Sequence, residues 1–399
     1  MASFEESAQR LTADGENTVL PGFTAVAADD KGSIRYVNSF GTTATGPLTL
    51  DTPIWLASCT KLMTAIAVLQ CVERGLLDLD EDISRLLPEF AEPDILYGFD
   101  EKTGQPLLRK AKRKITLRHL LTHSSGLGYD MLDPRLLKWK AAKGEVPTII
   151  PKDINDYFLP LLFEPGEGFI YGVGLDWAGK AIERANGNMR LGDFMKKNIW
   201  EPLGMQRTAF RLEENDYLRE NIGELTVRTD DGNILPMDRP WRGVNMGDDF
   251  GGVGVITTAS DYLKVQISLL KNDGKLLKAE SVDLLFAPQL EDTKYIMEVL
   301  RSDDGKYAPG MTNGLTSDTE WNYALGGIVA VEETPGRRSK GVISWAGMSN
   351  PIWFIDRERG ICGFWAIQLF PFFDPQHLEL FGKFENMVWE RFGKKKEAN

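Results

Sequence analysis

Cysteine and histidine are scarce in this chain, three of each among 399 residues. Cys59, Cys71 and Cys362 are too few and too scattered for a disulfide framework or a zinc site, and they fit a reducing, cytoplasmic setting. Nowhere do 18 apolar residues run together, so no membrane-spanning helix is expected. The opening "MASFEESAQRLTADGENT" lacks the apolar core of a signal peptide. Positive charge is in deficit: the formal net charge is -12, which disfavours nucleic acid and anionic membranes as partners. Internal repeats and low-complexity linkers are absent as well.

What is present is the balance of apolar and charged residues of an ordinary globular protein. The length suits one large domain or two interleaved ones. "GFTAVAADDKGSIRYVNSFG" reads as two strands around a turn at residues 29–32. A helix follows over 58–74, with Leu62, Ile66, Leu69 and Val72 at helical spacing and Gly75 closing it. Helix signals dominate from there to about residue 300. Strand-like runs then return in "YALGGIVAVEE", "KGVISWAG" and "PIWFIDRERGICGFWAIQLF", the last turning at 357–360. "DPQHLELFGKFENMVWERF" is a final helix, and "GKKKEAN" a solvated tail. Strands at both chain ends predict an α+β fold whose antiparallel sheet is built from both termini and flanked by helices. On this division 1–75 and 300–399 form the sheet domain and 76–299 a mostly helical one. A site between them lies where pockets commonly form.

Three patterns carry chemistry. In "LASCTKLMTAIAVLQ", Ser58 and Lys61 stand three apart, a spacing that puts both on one helix face. A serine there is commonly just an N-cap. The alternative is a nucleophile with its own base, for which Lys61 must shed its proton; burial favours that by penalising the charged amine. Tyr171, in "PGEGFIYGVGLDWAGK", is a phenol that can relay a proton, or a core tyrosine with a satisfied hydroxyl. In "SWAGMSNPIW", Ala346 and Gly347 leave room for close approach to the backbone. The N–H just beyond Gly347, that of Met348, can pair with the Ser58 N–H as an oxyanion hole. His119 and His123 are four apart but lack the glutamate of H-E-x-x-H, so they read as structural histidines rather than metal ligands. No G-x-S-x-G elbow occurs, which leaves an α/β-hydrolase unsupported.

The ordered set Ser58/Lys61, Tyr171 and Trp345-Ala346-Gly347 resembles the serine β-lactamase and penicillin-binding-protein superfamily, in its class C-like esterase and transesterase branch. The supporting phrases "LRHLLTHSSGL", "WEPLGM" and "GGVGVITTASDYLK" are similar too. Within that branch, "KITLRHLLTHSSGL", "IYGVGLDWAGK" and "LKNDGKLLKAESVDLLF" look like fungal lovastatin-type side-chain acyltransferases. The resemblance implies a β-lactamase-like fold and a cofactor-free, metal-free serine acyl transfer. Ser58 attacks an ester or thioester, Lys61 and Tyr171 move protons, and the N–H groups of Ser58 and Met348 hold the oxyanion. The implied partners are a small-molecule acyl donor and acceptor, with an acyl carrier protein as one form of donor. Tyr129, Phe169, Val173, Trp345, Ala346, Gly347 and Trp353 are the expected substrate-binding residues. Val173 stands where Y-x-N has asparagine and Trp345 where K-T-G has lysine, departures that disfavour lactam hydrolysis. The basic run "RKAKRKITLR", 109–118, is either a solvated face or an attraction for an acidic carrier.

Overall fold

The computed structural model describes residues 3–395 apart from 14, 16–17, 44–45, 238–245, 303–307 and 316–317. The last four residues of the expected tail lie outside the described residues. A seven-stranded antiparallel sheet organises the chain. Its spatial order is Trp321–Tyr323, Ile328–Ala330, Ile343–Ala346, Ile352–Asp356, Ile361–Ile367, Phe23–Asp29 and Ile34–Phe40. The N-terminal hairpin thus joins the sheet through the last long strand, with Val26 opposite Phe364 and Phe23 opposite Ile367. Gly32 takes the left-handed conformation that its turn requires, at φ +83°.

Side-chain alternation along each strand divides two apolar layers. Phe23, Ala25 and Ala27 face a layer built with Phe381, Phe384 and Val388 of the helix Pro375–Phe392 and with Phe4 of the helix Phe4–Leu11. Val26 and Ala28 face the larger layer, which contains the helices Thr60–Glu73 and Ala259–Lys271. Covered on both faces, the strand Ile361–Ile367 is buried at every position. Gln266 reaches from its helix to the sheet and donates to the carbonyls of Phe354 and Gly363, at 3.1 and 2.7 Å.

Between the sheet-forming ends the chain carries helices and also short strands. Pro53–Trp55 pairs with Ile256–Thr258, which pairs in turn with Thr208–Ala209. Asp94–Phe99 and Pro106–Lys110 form a hairpin. Every residue of the helix Thr60–Glu73 up to Cys71 is buried, so this helix is a core rod with no polar face. Lys61 lies within that buried stretch, fully shielded from solvent. An amine there must be met by protein groups.

Candidate active site

The turn that carries Ser58 is held from three directions. Ala57 has φ +46°, a conformation costly for a residue with a Cβ, just before Ser58. A short 3-10 turn, Ala57–Cys59, then leads into the helix Thr60–Glu73, and no side chain caps either start. Ser58 is therefore free of the capping role. The Leu56 N–H bonds to the Val255 carbonyl at 2.9 Å, and the Val255 N–H bonds to Thr60 Oγ1 at 3.1 Å. Tyr262 donates its hydroxyl to the Cys59 carbonyl at 2.9 Å, and the Cys59 thiol contacts the Pro351 carbonyl at 3.4 Å. Burial pushes that thiol well above its usual range, so Cys59 stays neutral beside Ser58.

Lys61 Nζ lies 3.2 Å from Ser58 Oγ and 3.2 Å from the Tyr129 hydroxyl, and donates to the Gly252 carbonyl at 2.8 Å. The carbonyl can only accept, whereas each hydroxyl can donate. A neutral amine with one lone pair can therefore keep its bond to Gly252 and take a hydrogen bond from Ser58. Burial, with Asp176 the next cause, raises the Tyr129 hydroxyl well above its usual range, so Tyr129 stays protonated. Lys61 Nζ also sits 4.8 Å from the centre of the Tyr171 ring. Trp345 donates its indole N–H to the Tyr171 hydroxyl at 3.2 Å.

Tyr171 is placed by His123 on both sides. The Ile170 N–H bonds to the His123 carbonyl at 2.9 Å, and the Gly172 N–H to His123 Nδ1 at 3.3 Å. Burial, then the charge of Lys61, pushes this imidazole well below its ordinary range, so it stays neutral and can accept. A Cβ on Gly172 would meet the Leu127 carbonyl at 2.0 Å; only glycine lets the segment lie that close.

On the far side of Ser58, the strand Ile343–Ala346 ends in a turn in which the Gly347 N–H bonds to the Pro351 carbonyl and the Asn350 N–H to the Gly347 carbonyl, both at 2.8 Å. Gln368 ties this turn to the Trp55 strand, donating to the Trp55 carbonyl and to Ser349 Oγ, each at 3.0 Å. A Cβ on Gly347 would stand 2.3 Å from the Leu56 carbonyl, two residues before Ser58. Gly347→Ala must therefore shift the turn that carries Met348 against the segment leading into Ser58. We expect steady-state kcat to fall roughly 10²-fold, the scale of one lost oxyanion donor. An unchanged kcat would remove Met348 from the site.

The structure brings Ser58, Lys61, Tyr129, Tyr171 and Trp345 together, with Phe169 joined to them through His123 and Tyr323. It does not bring all the expected substrate-binding residues to the site surface. Ala346 belongs to the opposite apolar layer, because strand alternation turns its side chain away from that of Trp345. Trp353 lies directly opposite Trp345 across the strands and is wholly buried, so it supports Trp345 without presenting surface. Val173 is also wholly buried at the start of the helix Gly174–Ala185. His119 Nδ1 accepts the Thr116 N–H within a capping box. The basic run is largely ion-paired: Arg109 with Glu164, Lys110 with Asp94, Arg113 with Glu167, Lys114 with Asp82 and Arg118 with Asp80. The direct bond of Tyr129 to Lys61 and the Gly252 carbonyl beneath it were not predicted. The "GGVGVITTASDYLK" phrase was the signal that contained Gly252.

Comparison with known proteins agrees with this geometry. A family model described as Beta-lactamase matches residues 8–380. Monacolin J acid methylbutanoyltransferase of Aspergillus terreus is 37% identical over 94% of this chain and 92% of its own length. Lovastatin esterase of Penicillium rubens is 38% identical over 88% of this chain and 89% of its own. The structure of a variant of simvastatin synthase from Aspergillus terreus superposes with a TM-score of 0.89 at 37% identity, covering 98% of this chain and 94% of that one.

Proposed function

Since this chain belongs to the Beta-lactamase family and its relatives are acyltransferases and esterases, we propose that it forms an acyl-enzyme on Ser58 from an ester or thioester and passes the acyl group to an alcohol. The observation that carries this reading is the fully buried Lys61 amine 3.2 Å from Ser58 Oγ, with Ser58 itself uncapped. Lys61, once it has shed its own proton, takes that of Ser58 as Oγ bonds to the acyl carbon. The N–H groups of Ser58 and Met348 hold the oxyanion, and the proton then passes to the leaving thiol or alcohol. Tyr171 relays protons for the incoming acceptor, steadied by the Trp345 indole.

Transfer rather than hydrolysis is favoured by the aromatic surroundings of Tyr171: His123, Tyr129 and Trp345 crowd its ring with centroids 4.6, 5.6 and 5.2 Å away. Such walls leave water little polar surface to occupy. Small-molecule donors are favoured over a carrier domain drawn by the 109–118 run, because ion pairs offset much of its charge. An acceptor in fungal secondary metabolism is the reading the relatives suggest. No helix among the described residues is long and apolar enough to cross a membrane.

The test is intact-mass spectrometry after mixing with short acyl thioesters and p-nitrophenyl esters, followed by peptide mapping. We expect an acyl adduct on the peptide containing Ser58, with a lifetime shortened by added alcohols. An adduct discharged at the same rate with and without alcohols identifies an esterase. Neither adduct nor product across a broad acyl panel, together with no labelling by a fluorophosphonate, would leave a binding protein with this fold.

A further inference from the structure

One buried carboxylate beneath the site has no part in the mechanism above. Asp176, in the first turn of the helix Gly174–Ala185, is 2% exposed. Its Oδ1 accepts the Gly252 N–H at 2.7 Å, and the carbonyl of that same residue takes the Lys61 amine at 2.8 Å. Its Oδ2 is buried and makes no hydrogen bond of full geometry, and the Tyr129 hydroxyl acts on the carboxylate only weakly. The glycine pair 251–252 is the connector. A Cβ on Gly252 would stand 2.5 Å from Asp176 Oδ2, and one on Gly251 would stand 2.7 Å from the Leu175 carbonyl. Thr64, one helical turn beyond Lys61, fixes the Gly251 carbonyl at 2.6 Å.

We propose that Asp176 is a positioning residue for acyl transfer: through the backbone of Gly252 it fixes the Lys61 amine, and its negative charge offsets the ammonium that forms there when Ser58 is deprotonated. This rests on the Ser58 reading. The step balances: the proton leaves Ser58 Oγ for Lys61 Nζ, Oγ bonds to the acyl carbon, and the leaving thiolate or alkoxide recovers the proton. The logic is that of a buried aspartate behind a catalytic base, with a lysine as the base. An unpaired buried carboxylate oxygen is costly, and a function is a reason to keep one.

The titratable groups that interact with Asp176 are Lys61 on its helix, Tyr129 on the loop above and Tyr157 in the short helix Ile154–Tyr157. Burial pushes the Asp176 carboxyl up to about 6, with the Lys61 charge, the Gly252 N–H and the Tyr129 hydroxyl opposing the rise. The charged form that assists Lys61 therefore dominates above that pH, and acylation should rise with pH through an acid limb near it.

The experiment measures single-turnover acylation of Ser58 against pH for wild type, Asp176→Asn and Tyr129→Phe, each checked for folding by thermal melting. Asp176→Asn can keep the Gly252 bond through its amide oxygen but loses the charge. We expect acylation at neutral pH to slow by roughly ten- to a hundredfold, part of the ~10²–10⁴ of a positioned base, and the acid limb to vanish. Tyr129→Phe removes a hydroxyl that favours the carboxylate, so its limb should move to higher pH even if Asp176→Asn does not fold. A folded Asp176→Asn that is slower with an unchanged limb makes Asp176 merely structural and overturns the inference, as does a Tyr129→Phe limb that does not move. Wild type that never acylates Ser58 refutes the reading beneath it instead.

Discussion

Ser58→Ala should lose acyl-enzyme formation altogether, with turnover of any ester or thioester substrate falling on the order of 10⁴-fold or more. Loss of the hydroxyl proposed to carry the acyl group is the reason, and the structure indicates that little else would change. The serine side chain caps neither the 3-10 turn nor the following helix, so its removal forfeits no helix-end bond. Lys61 keeps its carbonyl partner Gly252 and its hydroxyl partner Tyr129. The melting temperature should therefore stay close to wild type while the mass adduct disappears. An adduct of undiminished yield on Ser58→Ala would place the nucleophile elsewhere.

Lys61→Met should cost the next most. Methionine has a similar unbranched length and suits a fully buried site, so the core is not emptied. Three contacts go with the amine, and the Gly252 carbonyl is left without a partner, a cost of about 1–3 kcal/mol. Relief from burying an ionisable group works in the opposite direction and is of comparable size. Stability should thus change little, whereas kcat/KM should fall by ~10²–10⁴ through loss of the base. Measured side by side with thermal unfolding, an activity near wild type would give the Ser58 proton to another group.

The pieces legible in the sequence were those whose signal is local. Turn residues between apolar runs marked the strands at both ends, and helical spacing with Gly75 marked the helix after Ser58. The spacing of Ser58 and Lys61 placed them together because three residues on a helix share a face. Contacts between distant segments were not legible. Tyr129 meets Lys61 across 68 residues, and Gly252 meets it across 191, and neither separation leaves a pattern. Thr208–Ala209 and Ile256–Thr258 are too short for alternation to declare them, and their partners are remote. The motif around Ala346 identified its strand but not the face of each side chain, since one step along a strand reverses it.

The way both chain ends share one sheet sets a timetable for biosynthesis. Phe23–Asp29 can pair at once with Ile34–Phe40 on one edge, but its other edge meets Ile361–Ile367 only nearly a whole chain later. The Ser58 turn waits as well, since Val255, Tyr262 and Pro351 hold it. Until then the apolar strand Phe23–Asp29 and the largely buried helix Thr60–Glu73 are left uncovered, a state prone to aggregation. Reactivity consequently arrives late and all at once. A nascent chain stalled before the last strands has Ser58 and Lys61 in sequence but not the assembled pocket around them.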